Sequence, residues 1–187
     1  MVALTIKLVT TANRVRQFYQ SNADSARIEL ERITSGASVF SRSSLIIASD
    51  LQTEICSPRK IAVIEFQTEL AVPFLHAEHG RIVIAEIDPE QDGYSIDADD
   101  SEQGSYRADF YFSGGYVLNT RISGRYRDNS VSNQLRITAQ IFEIPIIFYL
   151  PITGGIGLIN PQALTRVVIT PGDAMLIPAD AIKVDDY

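Results

Sequence analysis

Residues 104–127, GSYRADFYFSGGYVLNTRISGRYR, restrict the possible folds of this chain more than any other stretch. Tyr106, Ala108, Phe110 and Phe112, then Tyr116, Leu118, Ile122 and Tyr126 with Thr120 among them, fall on even positions. Odd positions carry Arg107, Asp109, Asn119, Arg121, Ser123, Arg125 and Arg127. A repeat of two is the period of a strand with one face buried, and the Ser113-Gly114-Gly115 break marks a hairpin. Residues facing each other across an antiparallel pair share a face, so loop length can be tested against the pattern. A two-residue Gly114-Gly115 turn sets Phe110 against Asn119, mixing the faces. A three-residue Ser113-Gly114-Gly115 loop pairs Phe112 with Tyr116, Phe110 with Leu118, Ala108 with Thr120 and Tyr106 with Ile122. It also leaves a glycine free for the positive φ such loops need. The second register is expected.

The next apolar face, Val131, Leu135, Ile137, Ala139 and Ile141, lies on odd positions. Joining it to the hairpin as a three-stranded meander requires a four-residue Arg127–Ser130 loop, with Tyr126 against Val131, Ile122 against Leu135 and Thr120 against Ile137. In that register Arg107 opposes Arg121 and Arg121 opposes Arg136. Three guanidiniums then stand in one row, about 5 Å apart from strand to strand, with Arg125 on the same face. Like charges directly opposite are unfavourable. Arginine takes carboxylate or phosphate bidentately, so the row calls for an acidic counterpart. Within the chain Asp97, Asp99, Asp100, Glu102, Asp185 and Asp186 are available; outside it, an acidic patch on another copy or an anionic ligand. Arg107, Arg121, Arg136 and Arg125 are therefore the candidate interface or anion-binding residues.

Elsewhere, Leu4, Ile6 and Leu8 alternate with Thr5 and Lys7 and predict a first strand. Residues 11–22 predict a short helix, with Thr11 as cap and Ala12, Val15, Phe18 and Tyr19 on one face. Residues 26–34 fit both a strand and a helix ending at Gly36, and the strand is preferred. Val39–Phe40 and Leu45–Ala48 suggest one serine-interrupted strand. Ala62, Ile64, Phe66, Thr68 and Leu70 share one face of a strand beyond Pro58, and residues 81–87, apolar on both faces, suit a central strand. The apolar phase shifts after Ile141, which predicts a bulge or bend between Phe142 and Pro145. Residues 141–159 are apolar enough to raise a membrane reading, but Pro145, Pro151, Gly154, Gly155, Gly157 and Glu143 interrupt them, so a core strand with a loop is expected. A last hairpin over residues 164–177 is broken at Pro171-Gly172-Asp173.

Few motifs carry chemistry. Asp88, Glu90, Asp92, Asp97 and Asp99 resemble the oxygen-ligand spacing of a calcium loop with Gly93 at the turn. The twelfth position is Asp99, not the bidentate glutamate, and strands flank the loop, so this metal signal is weak. His76 and His79 sit between Pro73 and Gly80 with no third ligand, and neither lies beside a recognisable nucleophile. Gly154-Gly155-Ile156-Gly157 lacks the lysine of a phosphate loop. Cys56 is the only cysteine, which excludes an internal disulfide and favours an intracellular, reducing setting; the N-terminal residues lack the features of a signal peptide.

A chain of 187 residues can bury roughly 70% of its unfolded surface. Its 45% hydrophobic and 21% charged content is that of a globular domain. A net charge of −7 argues against a dedicated nucleic-acid binder. The sequence thus predicts a single β-rich domain over residues 1–187, an antiparallel sandwich or barrel of meander or Greek-key type with one short N-terminal helix. No catalytic constellation or resident cofactor is expected, and no membrane or nucleic-acid partner. The functional expectation is a non-enzymatic structural or interaction subunit that self-associates or joins other subunits through charge-complementary β surfaces. A virion, tail or similar symmetric particle is its fold-level analogy. The alternative is a ligand-binding β module for carbohydrate or another small molecule, calcium-assisted or not, using Tyr94 and Tyr111.

Overall fold

The computed structural model describes residues 2–34, 39–48, 52–69, 82–91, 95–96, 103–125 and 140–170. The described residues form twelve strands: β1 (Leu4–Thr10), β2 (Val15–Gln20), β3 (Leu45–Ala48), β4 (Thr53–Cys56), β5 (Ile61–Gln67), β6 (Ile82–Glu86), β7 (Ser95–Ile96), β8 (Gln103–Phe112), β9 (Val117–Arg125), β10 (Ile147–Tyr149), β11 (Ile156–Ile159) and β12 (Leu164–Thr170). One helix, α1 (Ala23–Thr34), lies among them. A first sheet runs β10-β11-β5-β1-β2, a second runs β12-β8-β9-β6 with β7 on β8, and β3 and β4 form a separate hairpin. The result is a mostly antiparallel, sandwich-like β fold with a short helix and, among the described residues, no closed barrel.

The first sheet is the middle layer. One of its faces carries Leu4, Leu8, Ile64, Phe66 and Leu158 against Ala26 and Leu30 of α1, Val39, Phe40 and the inner side of the β3–β4 hairpin. The other carries Val9, Val63, Ile147 and Ile159 against Ala108, Phe110, Phe112 and Leu118 of the second sheet. Residues 61–66 of β5 are consequently buried on both faces, not on the one expected from alternation. A bulge opposite Val9 and Thr10 lets Ala62 face the second core while Ile64 and Phe66 face the first.

The β8–β9 hairpin has the predicted register: Phe110 opposes Leu118, Ala108 opposes Thr120 and Tyr106 opposes Ile122. The Phe112 and Tyr116 rings stack at 5.4 Å, and Gly115 takes φ 93°. Thr120 is fully buried on the apolar face because its hydroxyl donates to the Ala108 carbonyl at 2.7 Å. Gly114 lies against the Thr11 backbone, where any Cβ would collide.

Four expectations of strand and helix placement are corrected. Residues 15–20 are strand β2, not helix: Asn13 adopts φ 55°, the Arg14 N–H donates to the Thr10 hydroxyl at 3.0 Å, and the chain folds back as a hairpin pairing Val9 with Val15. The helix follows instead at Ala23–Thr34, where a strand was preferred. Its cap is Asn22, whose Oδ1 accepts the Ser25 N–H at 2.9 Å, with Asp24 in the first turn. Val39 and Phe40 are buried in a turn and do not extend β3.

The fourth correction concerns the meander. Strand β6 occupies the free side of β9, setting Ile84 against Ile122 and Ala85 against Arg121. On its far side β6 meets Leu150 in a parallel bridge, with the Glu86 N–H donating to Leu150 O and the Leu150 N–H to Ile84 O, each at 2.8 Å. The two sheets are joined at that corner. Around the predicted bend, the Glu143 and Ile144 N–H groups close a turn onto the Gln140 carbonyl. No helix among the described residues is long and apolar enough to cross a membrane.

Candidate functional site

Facing the second sheet, one row of residues crosses all five strands of the first: Tyr149, Gly157, Glu65, Lys7 and Gln17, each opposite the next. Glu65 is fully buried. Lys7 Nζ lies 3.0 Å from both of its carboxylate oxygens, and the Tyr149 hydroxyl donates to Oε1 at 3.0 Å. Tyr149 reaches Glu65 by crossing over Gly157, where a Cβ would stand 2.1 Å from the tyrosine ring. Glycine at this position is thus a packing requirement. Both Glu65 oxygens are engaged, so the carboxylate is held as a lock between β1, β5 and β10. A buried charge is tolerable only when paired and hydrogen-bonded in this way.

Glu86 and Tyr116 flank that row. Burial raises the Glu86 carboxyl above its ordinary range; the Ile152 N–H, donating to Oε2 at 3.0 Å, opposes the rise, and the charge of Glu65 adds to it. Burial also raises the phenols of Tyr116 and Tyr149, with the charges of Glu86 and Glu65 adding to the effect at Tyr116 and that of Glu65 leading at Tyr149. Both hydroxyls therefore stay protonated, and that of Tyr149 is the donor to Glu65. Asn160, also buried, ties the end of β11 to the turn before β5 by donating to the Pro58 and Ile61 carbonyls at 2.9 and 2.8 Å.

Arg107 does oppose Arg121. It is neutralised within the chain: Nε sits 3.0 Å from both Asp109 oxygens, Nη2 donates to Asn119 Oδ1 at 3.0 Å, and Nη1 donates to the Pro89 and Gln91 carbonyls at 2.9 and 3.0 Å. Arg121 makes no ion pair among the described residues. Its other neighbour is Ala85 and not Arg136, because β6 has taken the edge of β9 that the meander assigned to residues 131–141. The predicted row of three is therefore a pair within the sheet. Arg136 and the side chain of Arg125 lie outside the described residues.

Of the calcium-loop candidates, Asp88 and Glu90 are exposed in a tight turn in which Asp88 Oδ1 accepts the Glu90 N–H at 3.0 Å. Asp92, Asp97 and Asp99 lie outside the described residues, as do His76, His79 and Tyr94. Among the described residues no group of three metal-capable side chains comes together. Tyr111 is covered by the Arg166 guanidinium, 4.1 Å from its ring centre. Cys56 is partly buried; burial first, then the adjacent Glu54 carboxylate, raises its thiol pKa.

Two surface features had no counterpart in the sequence reading. The first is a cavity of about 440 Å³ on the other face of the first sheet, between Leu4, Ile6, Phe18 and Phe66 on one wall and Leu45 and Ile47 on the other. Arg42, Ser44, Gln20, Glu29 and Gln52 supply its polar lining. The second is on the outer side of the β3–β4 hairpin, where Ile46 and Ile55 face each other across the strands and are 60% and 69% exposed. Their inward neighbours Leu45, Ile47 and Cys56 pack on the core. Alternation over four-residue strands is too short to distinguish the two faces in advance. Comparison of the chain with known protein families, with curated proteins and with solved structures finds no match.

Proposed function

We propose that this chain is a non-enzymatic interaction subunit that assembles with further copies of itself through the outer face of the β3–β4 hairpin. The exposed cross-strand pair of Ile46 and Ile55 carries this reading. A two-stranded sheet is marginal alone, and both strands of this one have an unpaired edge among the described residues. A second hairpin of the same sequence offers the missing edge and the same apolar face, related by a two-fold axis, so one patch satisfies both partners. Covering the pair in this way recovers about 1.5–3 kcal/mol for each fully buried isoleucine. Assembly inside the cell, in a symmetric particle, is the setting this reading fits. The charge-complementary contact expected from the sequence keeps Arg121 as its candidate among the described residues, where it is the member of the opposed pair without an ion pair.

Size-exclusion chromatography with light scattering tests the proposal. The native chain is expected to run as a dimer or larger species. A variant carrying Ile46→Thr and Ile55→Thr, which keeps β-branched side chains but loses the apolar contact, is expected to run as a monomer with an unchanged circular dichroism spectrum. A native chain that stays monomeric at high concentration, or a variant that still assembles, overturns it.

A further inference from the structure

The cavity between the first sheet and the β3–β4 hairpin has the size and chemistry of a ligand site, and its lining selects the kind of ligand. Cores pack with few voids larger than a water molecule, whereas about 440 Å³ falls within the range of roughly 300–1,000 Å³ typical of small-molecule pockets. Its walls are side chains of the first core, among them Leu4, Leu8, Ile64 and Phe66. Water gains few hydrogen bonds against that part of the lining, where an apolar segment restores the missing contacts, while the polar side chains that share the lining suit a ligand that is itself only partly apolar.

The polar lining is asymmetric in what it leaves available. Glu29 and Gln52 already have partners within the chain. Arg42 lies exposed in the turn before β3 and has no ion pair among the described residues. A guanidinium without an ion pair among the described residues, beside a partly apolar cavity, is complementary to a carboxylate, which it can take bidentately. With Glu29 and Gln52 engaged, Arg42 is the charged lining residue left to receive the ligand's head group.

We infer that this cavity binds a small amphipathic anion, an apolar body ending in a carboxylate whose charge is met by Arg42. The site is formed within one chain and does not require assembly, although Ile46 of the hairpin also lines it.

Calorimetric titration with decanoate, below its micelle-forming concentration, is the test, with decanol as the uncharged probe of equal length. Decanoate is expected to bind once per chain and to raise the melting temperature. Arg42→Ala is expected to weaken decanoate by about five- to tenfold, in line with loss of one partly exposed charge-assisted contact. Decanol is expected to bind more weakly than decanoate and to be indifferent to that substitution. Arg42 is exposed, so the variant's circular dichroism spectrum should match that of the native chain. Absence of saturable decanoate binding overturns the site. Equal decanoate affinity in the native and Arg42→Ala chains overturns the role of the guanidinium. Because the Ile46→Thr and Ile55→Thr chain reports on assembly by light scattering, failure of either reading is seen separately.

Discussion

Arg107 and Arg121 stand directly opposite each other on β8 and β9, yet among the described residues only Arg107 has its charge met, by Asp109 at 3.0 Å and by the carbonyls of Pro89 and Gln91. Like charges across a strand pair repel, and the partners of Arg107 are what make the pairing tolerable. Replacing Arg121 by glutamate converts the repulsion into an opposite-charge pair, which should raise unfolding free energy by up to about 1 kcal/mol in urea titration. Arg107→Met removes partly buried charge-assisted bonds and frees the turn at Asp88–Gln91, and should cost about 2 kcal/mol. If Arg121 also faces an acidic patch on another copy, Arg121→Glu should disrupt assembly while the monomer stays folded. An assembly left intact by that change removes the charge-complementary contact and leaves the hairpin contact standing.

The Lys7–Glu65 pair predicts a strongly non-additive double-mutant cycle. Lys7→Met leaves a fully buried carboxylate with only the Tyr149 hydroxyl from its present partners, and should cost about 3–5 kcal/mol. Glu65→Met should cost somewhat less, because Lys7 keeps partial contact with solvent. The double replacement, with two apolar side chains on a face already lined by Val9 and Val63, should cost less than the sum of the single ones. Equilibrium urea unfolding of the four chains checks this. Additive losses would mean that the two residues do not act as a pair.

Which parts of this arrangement could be read from the sequence follows from what parity can encode. The β8–β9 register was legible because one face is buried and a one-residue slip would expose Phe110 and Leu118. The partner of β9 was not, because parity identifies a face but not the strand that supplies it; Ile84 of β6 serves where Leu135 was expected. Residues 12–19 resembled a helix because β2 is an edge strand whose Val15 and Tyr19 are exposed, so their apolar character carries no periodic constraint. The decisive local signals were the two asparagines, Asn13 in the left-handed turn and Asn22 at the helix cap. Glu65 was hidden inside a strand buried on both faces, and only the pairing with Lys7 identifies it as a site. The cavity arises between residues far apart in sequence, beyond any single-segment pattern.

The raised Glu86 carboxyl gives stability a dependence on pH whose sign is fixed. In the native state it binds its proton more tightly than in the unfolded chain, where the ordinary value near 4.5 applies. Its contribution is therefore fully present below that value and is lost as pH rises through the raised native value. Glu86→Gln can still accept the Ile152 N–H but cannot ionise. The variant should gain stability relative to the native chain as pH is raised across this window, and the difference should level off above it. Denaturant titrations of both chains at matched pH provide the check. A difference that stays constant with pH would show that Glu86 titrates alike in the folded and unfolded chains.

Gly157 gives the sharpest prediction for the locked row. It sits opposite both Tyr149 and Glu65, and its missing side chain is the space through which the Tyr149 ring reaches the carboxylate. Gly157→Ala places a methyl group 2.1 Å from that ring, so the ring must move and the hydrogen bond to Glu65 must break. The same bond is removed without steric conflict by Tyr149→Phe, which should cost about 1.5–3 kcal/mol as the loss of a hydrogen bond to a charged group. Gly157→Ala should cost more, by the overpacking contribution of roughly 1–3 kcal/mol. Introducing it into the Tyr149→Ala chain, where the ring is absent, should be far less damaging than in the native chain. Comparing the native chain and these four variants by thermal and urea unfolding separates the two effects. An equal penalty for Gly157→Ala in both backgrounds would place the conflict in the backbone and not in the ring.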